Sequence, residues 1–369
     1  MNMQLRKRNS RINCTIVRIS SFYVLMAALI VVSFTYLRRQ IYLSSYIDAH
    51  SKTNDSELKF DYEVGTNCMN LPEIRPSGVF FTDSTISMAS SSEGIEPAFK
   101  IGSKYPPEKA SSHMTIDIPS FQLMREFLEG RQDGLAIDIG ANQGFYTYFL
   151  ATMGFSTHAF EIEENNFHSL QHGTLFNPKD VVDRVYLYPI GINDKVKRFS
   201  LQGGNYEGFL KAGGMSSKLP VLGMSFDCFV YQSHLNLSNG VDFVKIDVEG
   251  FEIAVLKGAK KSLFQSKIGA LIMEVGPNRW HRAQASLEEG IDELKEMASH
   301  FKSWFLLVRS AGSYWKTCPP ALAEASLADK NPRIIGNVHL YKIETSDELG
   351  ALLLELNKIG GDCNFWFNN

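Results

Sequence analysis

The chain has 369 residues, 44% of them apolar, with a formal net charge of −3. That length and composition fit one sizeable domain of about 230 to 250 residues plus flanking segments. Setting aside the five basic residues of the extreme N-terminus leaves 32 basic against 40 acidic residues, which excludes the basic surface that a nucleic-acid substrate would need.

Arg6, Lys7, Arg8, Arg11 and Arg18 give residues 1–18 the character of a basic tail. No charged residue follows until Arg38, and 19–37 is expected to be a transmembrane helix. At ~1.5 Å per residue it rises about 28 Å, close to a hydrocarbon core. Tyr23 and Tyr36 stand near its ends, as interfacial aromatics do. Its exit, Thr35-Tyr36-Leu37-Arg38, lacks the small-x-small pattern of a cleaved signal peptide, so the segment reads as a signal anchor. The basic residues ahead of it outnumber Arg38 and Arg39 behind it. The positive-inside rule then makes this a single-pass type II membrane protein with its domain in the lumen of the secretory pathway. Residues 38–107, rich in Ser, Thr, Asn and Pro, are expected to form a loosely structured stem. Cys68, Cys228, Cys318 and Cys363 would be lumenal, enough for two disulfides in three pairings, with Cys14 cytosolic. Asn54-Asp55-Ser56 and Asn236-Leu237-Ser238 are glycosylation sequons. No Cys-x-x-Cys spacing occurs, and zinc is not expected.

The domain is expected over 108–345. Pro119–Glu129 reads as a helix carrying Phe121, Leu123, Met124, Phe127 and Leu128. An apolar strand then runs Ala136-Ile137-Asp138-Ile139 into the turn Gly140-Ala141-Asn142-Gln143-Gly144, and an amphipathic helix follows. In such a turn Gly140 bends the backbone, Gly144 lets helix and strand approach, and the helix start offers free N–H groups. A second strand, Ser156–Phe160, ends in Glu161, about twenty residues on, where a carboxylate takes both ribose hydroxyls of an adenosine. Ala141-Asn142 stands where a dinucleotide fold needs its second glycine, so an adenosine without phosphates, S-adenosylmethionine, fits better. Tyr186–Ile190 reads as a third strand with Pro189 inside it, which belongs on a sheet edge. Gly191 just beyond joins the candidate cofactor contacts.

The most informative later segment is Val241–Glu252. Strand alternation puts Val244, Ile246 and Val248 on one face and Lys245, Asp247 and Glu249 on the other. Three ionisable groups on a buried face are costly unless they are paired or face a site. Ligands bind at the carboxyl ends of such strands, which makes Asp247 and Glu249 functional candidates and Lys245 a structural one. Ala270–Val275 reads as a fifth strand bearing Glu274, followed by Gly276-Pro277-Asn278-Arg279-Trp280 and then His281. Gln284–Phe301 is expected to be a helix, Trp304–Val308 and Val338–Ile343 a closing pair of strands, and Ser346 the cap of a last helix through Leu356 within the segment 346–369. Loops Gly203–Pro220 and Gly312–Pro332 carry Tyr206, Phe209, Tyr314 and Trp315, rings that can stack on a sugar or simply pack.

Asp138-Ile139-Gly140-Ala141-Asn142-Gln143-Gly144, Phe160-Glu161 and Lys245-Ile246-Asp247-Val248-Glu249-Gly250-Phe251-Glu252, followed by Leu256-Lys257-Gly258-Ala259, resemble the FkbM-type methyltransferases over roughly Pro119 to Ile343. The resemblance implies a class I methyltransferase fold. This is a Rossmann-like, mostly parallel seven-stranded α/β sheet in the order 3-2-1-4-5-7-6, with helices on both faces, here preceded by a transmembrane helix. It implies S-adenosylmethionine as donor and a hydroxyl of a glycan or sugar-bearing product as acceptor. Carried over by residue, Asp138, Gly140, Asn142, Gly144 and Glu161 are cofactor contacts and Asp247 lies at the methyl-transfer centre. An alcohol must lose its proton, so Asp247 is the first candidate base, with Glu249, Glu274 and His281 as neighbours. Asp247, Glu249 and Glu274 also have the oxygen chemistry that magnesium takes, although no spacing fixes a ligand count. The Golgi, or else the endoplasmic reticulum, is expected by analogy with other type II enzymes, and no retention signal ends the chain. Two further readings share these features: a Golgi glycosyltransferase whose Asp247-x-Glu249 binds a metal and a nucleotide diphosphate, and a catalytically silent membrane-tethered binding protein. The order of the Asp138–Glu161 signature ahead of Asp247 favours the methyltransferase.

Overall fold

A computed structural model describes residues 68, 76, 86–91, 94–202, 209–211, 221–309, 318, 322, 330–335 and 338–369, all within the unit Glu63–Asn369. The basic tail, the expected span over 19–37, Cys14, Asn54, Tyr206, Tyr314 and Trp315 lie outside the described residues. Among the described residues no helix is long and apolar enough to cross a membrane.

Strands β1 (Ser87–Ser90) and β2 (Lys100–Ser103) pair antiparallel, with Ser87 opposite Ser103. They fall within the segment expected to be a loose stem, and that expectation fails here. Ala89, Phe99 and Ile101 are buried, and Phe99 packs on the rings of Phe121 and Phe149. Helices α1 (Pro107–Ile116) and α2 (Ile118–Leu128) follow. Pro119 sits in the first turn of α2, where its missing N–H costs no hydrogen bond. Phe121, Met124 and Leu128 recur at helical spacing on the buried face, and each contributes about 1.5–3 kcal/mol by leaving water.

Next come β3 (Leu135–Ile139), α3 (Phe145–Thr152), β4 (Ser156–Phe160), α4 (Glu164–Phe176), α5 (Lys179–Val182) and β5 (Val185–Tyr188), whose three strands run parallel. The strand β5 is at the sheet edge and stops just before Pro189, one residue short of the proline's place in the expected strand. A small second sheet, in the order β6-β9-β7-β8, is made of β6 (Gly191–Ile192), β7 (Lys197–Gln202), β8 (Phe209–Lys211) and β9 (Val221–Met224). After α6 (Phe226–Ser233) the chain re-enters the main sheet as β10 (Val241–Ile246), α7 (Glu252–Gly258) and β11 (Ile268–Val275). A 3-10 helix, Pro277–Ala283, leads to α8 (Leu287–Ala298), shorter than expected because Ser286 and Glu289 close a capping box at its start. The remainder is β12 (Ser303–Arg309), β13 (Arg333–Ile335), β14 (Val338–Ile343), α9 (Ser346–Ile359) and β15 (Cys363–Asn368). Thr345, not Ser346, caps α9, its hydroxyl accepting from the Glu348 N–H at 3.1 Å.

The main sheet has nine strands in the order β13-β14-β12-β15-β11-β10-β3-β4-β5. From β5 to β12 this is the expected 3-2-1-4-5-7-6 order, and β13 and β14 extend it beyond the expected seven. The closing antiparallel strand is β15, inserted between β11 and β12, whereas Val338–Ile343 pairs on the outer side of β12. Burial decides between them: Phe365, Trp366 and Phe367 bury both faces of β15, as an inner strand must, while Lys342 of β14 is exposed. Right-handed crossovers that leave β3 one way and β10 the other put α3 and α4 on one face and α7 and α8 on the opposite one. The cysteines resolve into Cys68–Cys228 and Cys318–Cys363.

Between β3 and β10 the strand order reverses, and their ends lie in register: Lys245 is opposite Asp138, Ile246 is opposite Ile139, and Asp247 N–H donates to Ile139 at 2.9 Å. Gly140 there has φ +84°, and a Cβ on it would stand 1.8 Å from the Asp247 carbonyl oxygen. Gly140→Ala is therefore expected to cost roughly 2–5 kcal/mol in urea unfolding, from the left-handed backbone and the overlap together. A loss under about 1 kcal/mol would contradict this crossing.

Candidate active site

Two groups of charge occupy the carboxyl ends of β3, β4, β10 and β11, where ligands of such sheets bind. The first is centred on the turn after β3. Asp138 is 1% exposed, and the Thr147 hydroxyl donates to its Oδ2 at 2.5 Å. Burial pushes its pKa up to about 6 against the pull of Lys245. Lys245 is itself 2% exposed, with its ammonium 2.9 Å from Asp247 Oδ2 and 4.8 Å from the centre of the Tyr146 ring. Burial works against that charge, but Asp247 and Asp138 outweigh it and hold the pKa above its ordinary value. Lys245 is thus buried and paired with carboxylates on its own strand end and on β3.

Asn142 adopts φ +51° and turns its N–H onto Glu161 Oε2 at 2.7 Å, while the Glu163 N–H donates to Oε1, also at 2.7 Å. Burial raises the Glu161 pKa to about 7 against the pull of these two donors. Glu161 thus ties the end of β4 to the turn after β3, a role the sequence reading, which saw only a ribose acceptor, did not include. Gly144, with φ +93°, is the N-cap of α3. A Cβ there would stand 2.6 Å from Leu170 Cδ1, so this glycine brings α3 against α4 rather than against the strand. Gly191 lies against Ile162, the neighbour of Glu161.

The second group is acidic. Asp247, Glu249 and Glu274 offer carboxylate oxygens within 4.8 Å of one another. Alternation along β10 does not carry Glu249 there, because the strand ends at Ile246. Instead Glu249 at φ +53° and Gly250 at φ +101° form a left-handed turn that brings the side chain round. Arg279, on the 3-10 helix, donates to Glu249, to Glu274 at 3.0 Å and to Asp362 at 2.7 Å. Arg282 donates to the Glu249 carbonyl at 2.8 Å. Burial, then Asp247, raises the pKa of Glu249. Burial and the three neighbouring carboxylates raise that of Glu274 well above the usual range against Arg279. Burial likewise raises Asp362. His281 is exposed, with Nδ1 3.0 Å from the Asn278 carbonyl, and is not part of the carboxylate cluster. Since a carbonyl only accepts, that nitrogen carries the ring proton.

Arg279, Asp362 and Glu252 were missed as site residues in the sequence. Glu252 is 1% exposed and accepts from the Gly250 N–H at 2.8 Å and from Trp280 Nε1 at 3.0 Å, which fixes the 3-10 helix beneath Arg279. Its pKa is pushed up to about 7 by burial. The motif Glu249-x-x-Glu252 was visible, but its partner Trp280 was not. Asp362 carried no signal, since only the insertion of β15 beside β11 brings it to Arg279. Asp247, Glu249 and Glu274 form the only three-residue metal-capable group among the described residues.

Residues 138–312 match the family model of the methyltransferase FkbM domain. No curated protein matches the chain. Similar solved structures include a precorrin-6y C5,15-methyltransferase from Geobacter metallireducens, 10% identical over 69% of this chain and 89% of that one, with a TM-score of 0.31. Another is a putative sarcosine dimethylglycine methyltransferase from Galdieria sulphuraria, 12% identical over 75% and 89%, with a TM-score of 0.32. A third is phosphoethanolamine N-methyltransferase 2 from Haemonchus contortus in complex with S-adenosyl-L-methionine, 10% identical over 67% and 50%, with a TM-score of 0.30. The family match begins at Asp138, at the head of the glycine turn, and runs through the acidic strand end; it supports the FkbM family for this chain and, with it, an S-adenosylmethionine-dependent methyltransferase.

Proposed function

We propose that this chain methylates a hydroxyl of a glycan or other sugar-bearing acceptor in the lumen of the secretory pathway, anchored as a type II protein by residues 19–37. The observation that carries the reaction class is the place of Asp247. It directly follows β10 beside the glycine turn, 32% exposed at its side chain, with Oδ2 on the Lys245 ammonium. Its Oδ1 has no hydrogen-bond donor among the described residues. An acceptor O–H must shed its proton as the new bond forms, and a carboxylate at the cofactor crevice meets that need.

The residues of the first group fit the cofactor. Asp138 Oδ1 is a buried acceptor without a donor among the described residues. Glu161 is held by two backbone N–H groups, with lone pairs left for a ribose diol. S-adenosylmethionine supplies an electrophilic methyl group. Asp247 takes the acceptor proton, Lys245 fixes the orientation of that carboxylate, and Glu249 and Glu274 line the acceptor side. Lumenal residence is supported by Cys68–Cys228 and Cys318–Cys363, which pair all four cysteines beyond the expected span, as an oxidising compartment allows. The exposed Asn236 of the second sequon agrees with it. The glycan acceptor rests on the resemblance, and the Golgi on analogy with other type II enzymes.

Two outcomes are expected. With tritium-labelled methyl donor and a panel of detergent-solubilised glycoproteins and glycolipids, the full-length protein labels a glycan fraction. Asp247→Asn lowers that rate by about 10²–10⁴-fold while cofactor affinity stays within about twofold. Transfer at the wild-type rate would remove Asp247 as base, and label in protein alone would remove the glycan. For the cofactor, accepting two hydroxyl donors requires ionised Glu161, whose pKa before binding is about 7. Binding therefore releases a proton, and calorimetric affinity should rise about tenfold from pH 6 to pH 8. Glu161→Gln should bind more weakly and without that slope; a slope unchanged by the substitution would assign it to another group.

A further inference from the structure

Four carboxylates converge on one side of the crevice, and an arginine meets three of them. Glu249 comes from the turn after β10, Glu274 from β11 and Asp362 from the residue before β15, and Arg279 donates to all three. Asp247 is held separately by Lys245 at 2.9 Å. Arg279 is itself fixed: its side chain is 14% exposed, and the adjacent Trp280 is anchored on Glu252.

Asp247, Glu249 and Glu274 are near enough to share one divalent cation, and oxygen ligands are what magnesium prefers. Yet each already receives a protonated nitrogen, from Lys245 or from Arg279. A guanidinium keeps its charge at any working pH and directs five planar donors outward, a shape suited to bridging carboxylates from several strands. A divalent ion among the same oxygens would stand against that fixed positive charge, and the residues present do not fit it.

We infer that Arg279 is the resident cation of this site: it occupies the place of a divalent metal, holds Glu249, Glu274 and Asp362 as a positioning residue, and leaves Asp247 to meet the acceptor. The assignment rests on the acidic cluster being the acceptor side of the methyltransferase crevice, but ion binding reads it without any turnover.

The test is titration of the full-length protein with manganese(II), followed by the loss of the free-ion electron paramagnetic resonance signal, with S-adenosylmethionine affinity measured on the same samples. Wild type and Arg279→Lys should leave the free signal undiminished up to millimolar ion. Arg279→Gln should gain one bound ion per chain, and adding Glu274→Gln in that background should remove it. One tightly bound ion in the wild type, abolished by Glu274→Gln, would overturn the inference, and this arm decides even if Arg279→Gln fails to fold. A folded Arg279→Gln protein that gains no ion would overturn it as well. Failure to bind S-adenosylmethionine at all would instead sink the proposed reaction while leaving the ion result to stand.

Discussion

Lys245 carries its ammonium into the middle of the sheet, 2% exposed, with Asp138 beside it on β3 and Asp247 2.9 Å away at the end of its own strand. A buried charge without partners would cost several kcal/mol, so this one dictates that both acids stay where they are. Asp138 belongs to the strand that feeds the glycine turn, and Asp247 to the strand end that faces the acceptor. One cation thereby sets the distance between the cofactor half of the crevice and its reactive half. The crossing of Gly140 over the Asp247 carbonyl enforces the same proximity through the backbone. Side chain and main chain thus impose one geometry at the reversal of strand order, where open α/β sheets bind their ligands.

A second cation organises the other side. Arg279 gathers acids from three separate strand ends, and the last of them, Asp362, stands beside Cys363, whose disulfide to Cys318 ties down the start of β15. Completion of the site therefore depends on the C-terminal strand being inserted between β11 and β12. Burial raises the pKa of Glu249, Glu274 and Asp362, and the neighbouring Asp247 carboxylate adds to it in each, against the pull of Arg279. This crowding is what a fixed guanidinium relieves. Glu161 makes a third tie, joining β4 to the turn after β3 through the Asn142 N–H.

Much of this was legible in the residues. The glycine turn, Glu161 and the run Lys245–Glu252 carry local patterns: an apolar strand, a break, and charges where a buried strand does not tolerate them. Strand order could be argued as far as the edge strand with its proline. What failed were features set by long-range contact. The Ser-rich stretch before the domain concealed Ala89, Phe99 and Ile101, three apolar anchors of the β1–β2 hairpin. Val338–Ile343 reads as the closing strand, and only burial of both faces of Phe365–Phe367 shows that the later run takes that place. Glu249 was assigned to the site by alternation but reaches it through a left-handed turn. Arg279 and Asp362 are 83 residues apart, and no spacing could announce their pairing. His281 was singled out for its residue type and its place beyond the fifth strand, and among the described residues its ring meets the Asn278 carbonyl and no carboxylate.

The measurement that tests the account most directly is a double-mutant cycle between Asp138→Asn and Lys245→Met, read by urea unfolding of the full-length chain. Loss of the ammonium alone should cost about 3–5 kcal/mol, because it strands Asp138 in the sheet beside an uncompensated neighbour. Removing both charges should restore at least about 1–2 kcal/mol of that loss. Costs that add within about 0.5 kcal/mol would show that the two residues do not depend on each other, and the link between the two halves of the site would have to lie elsewhere.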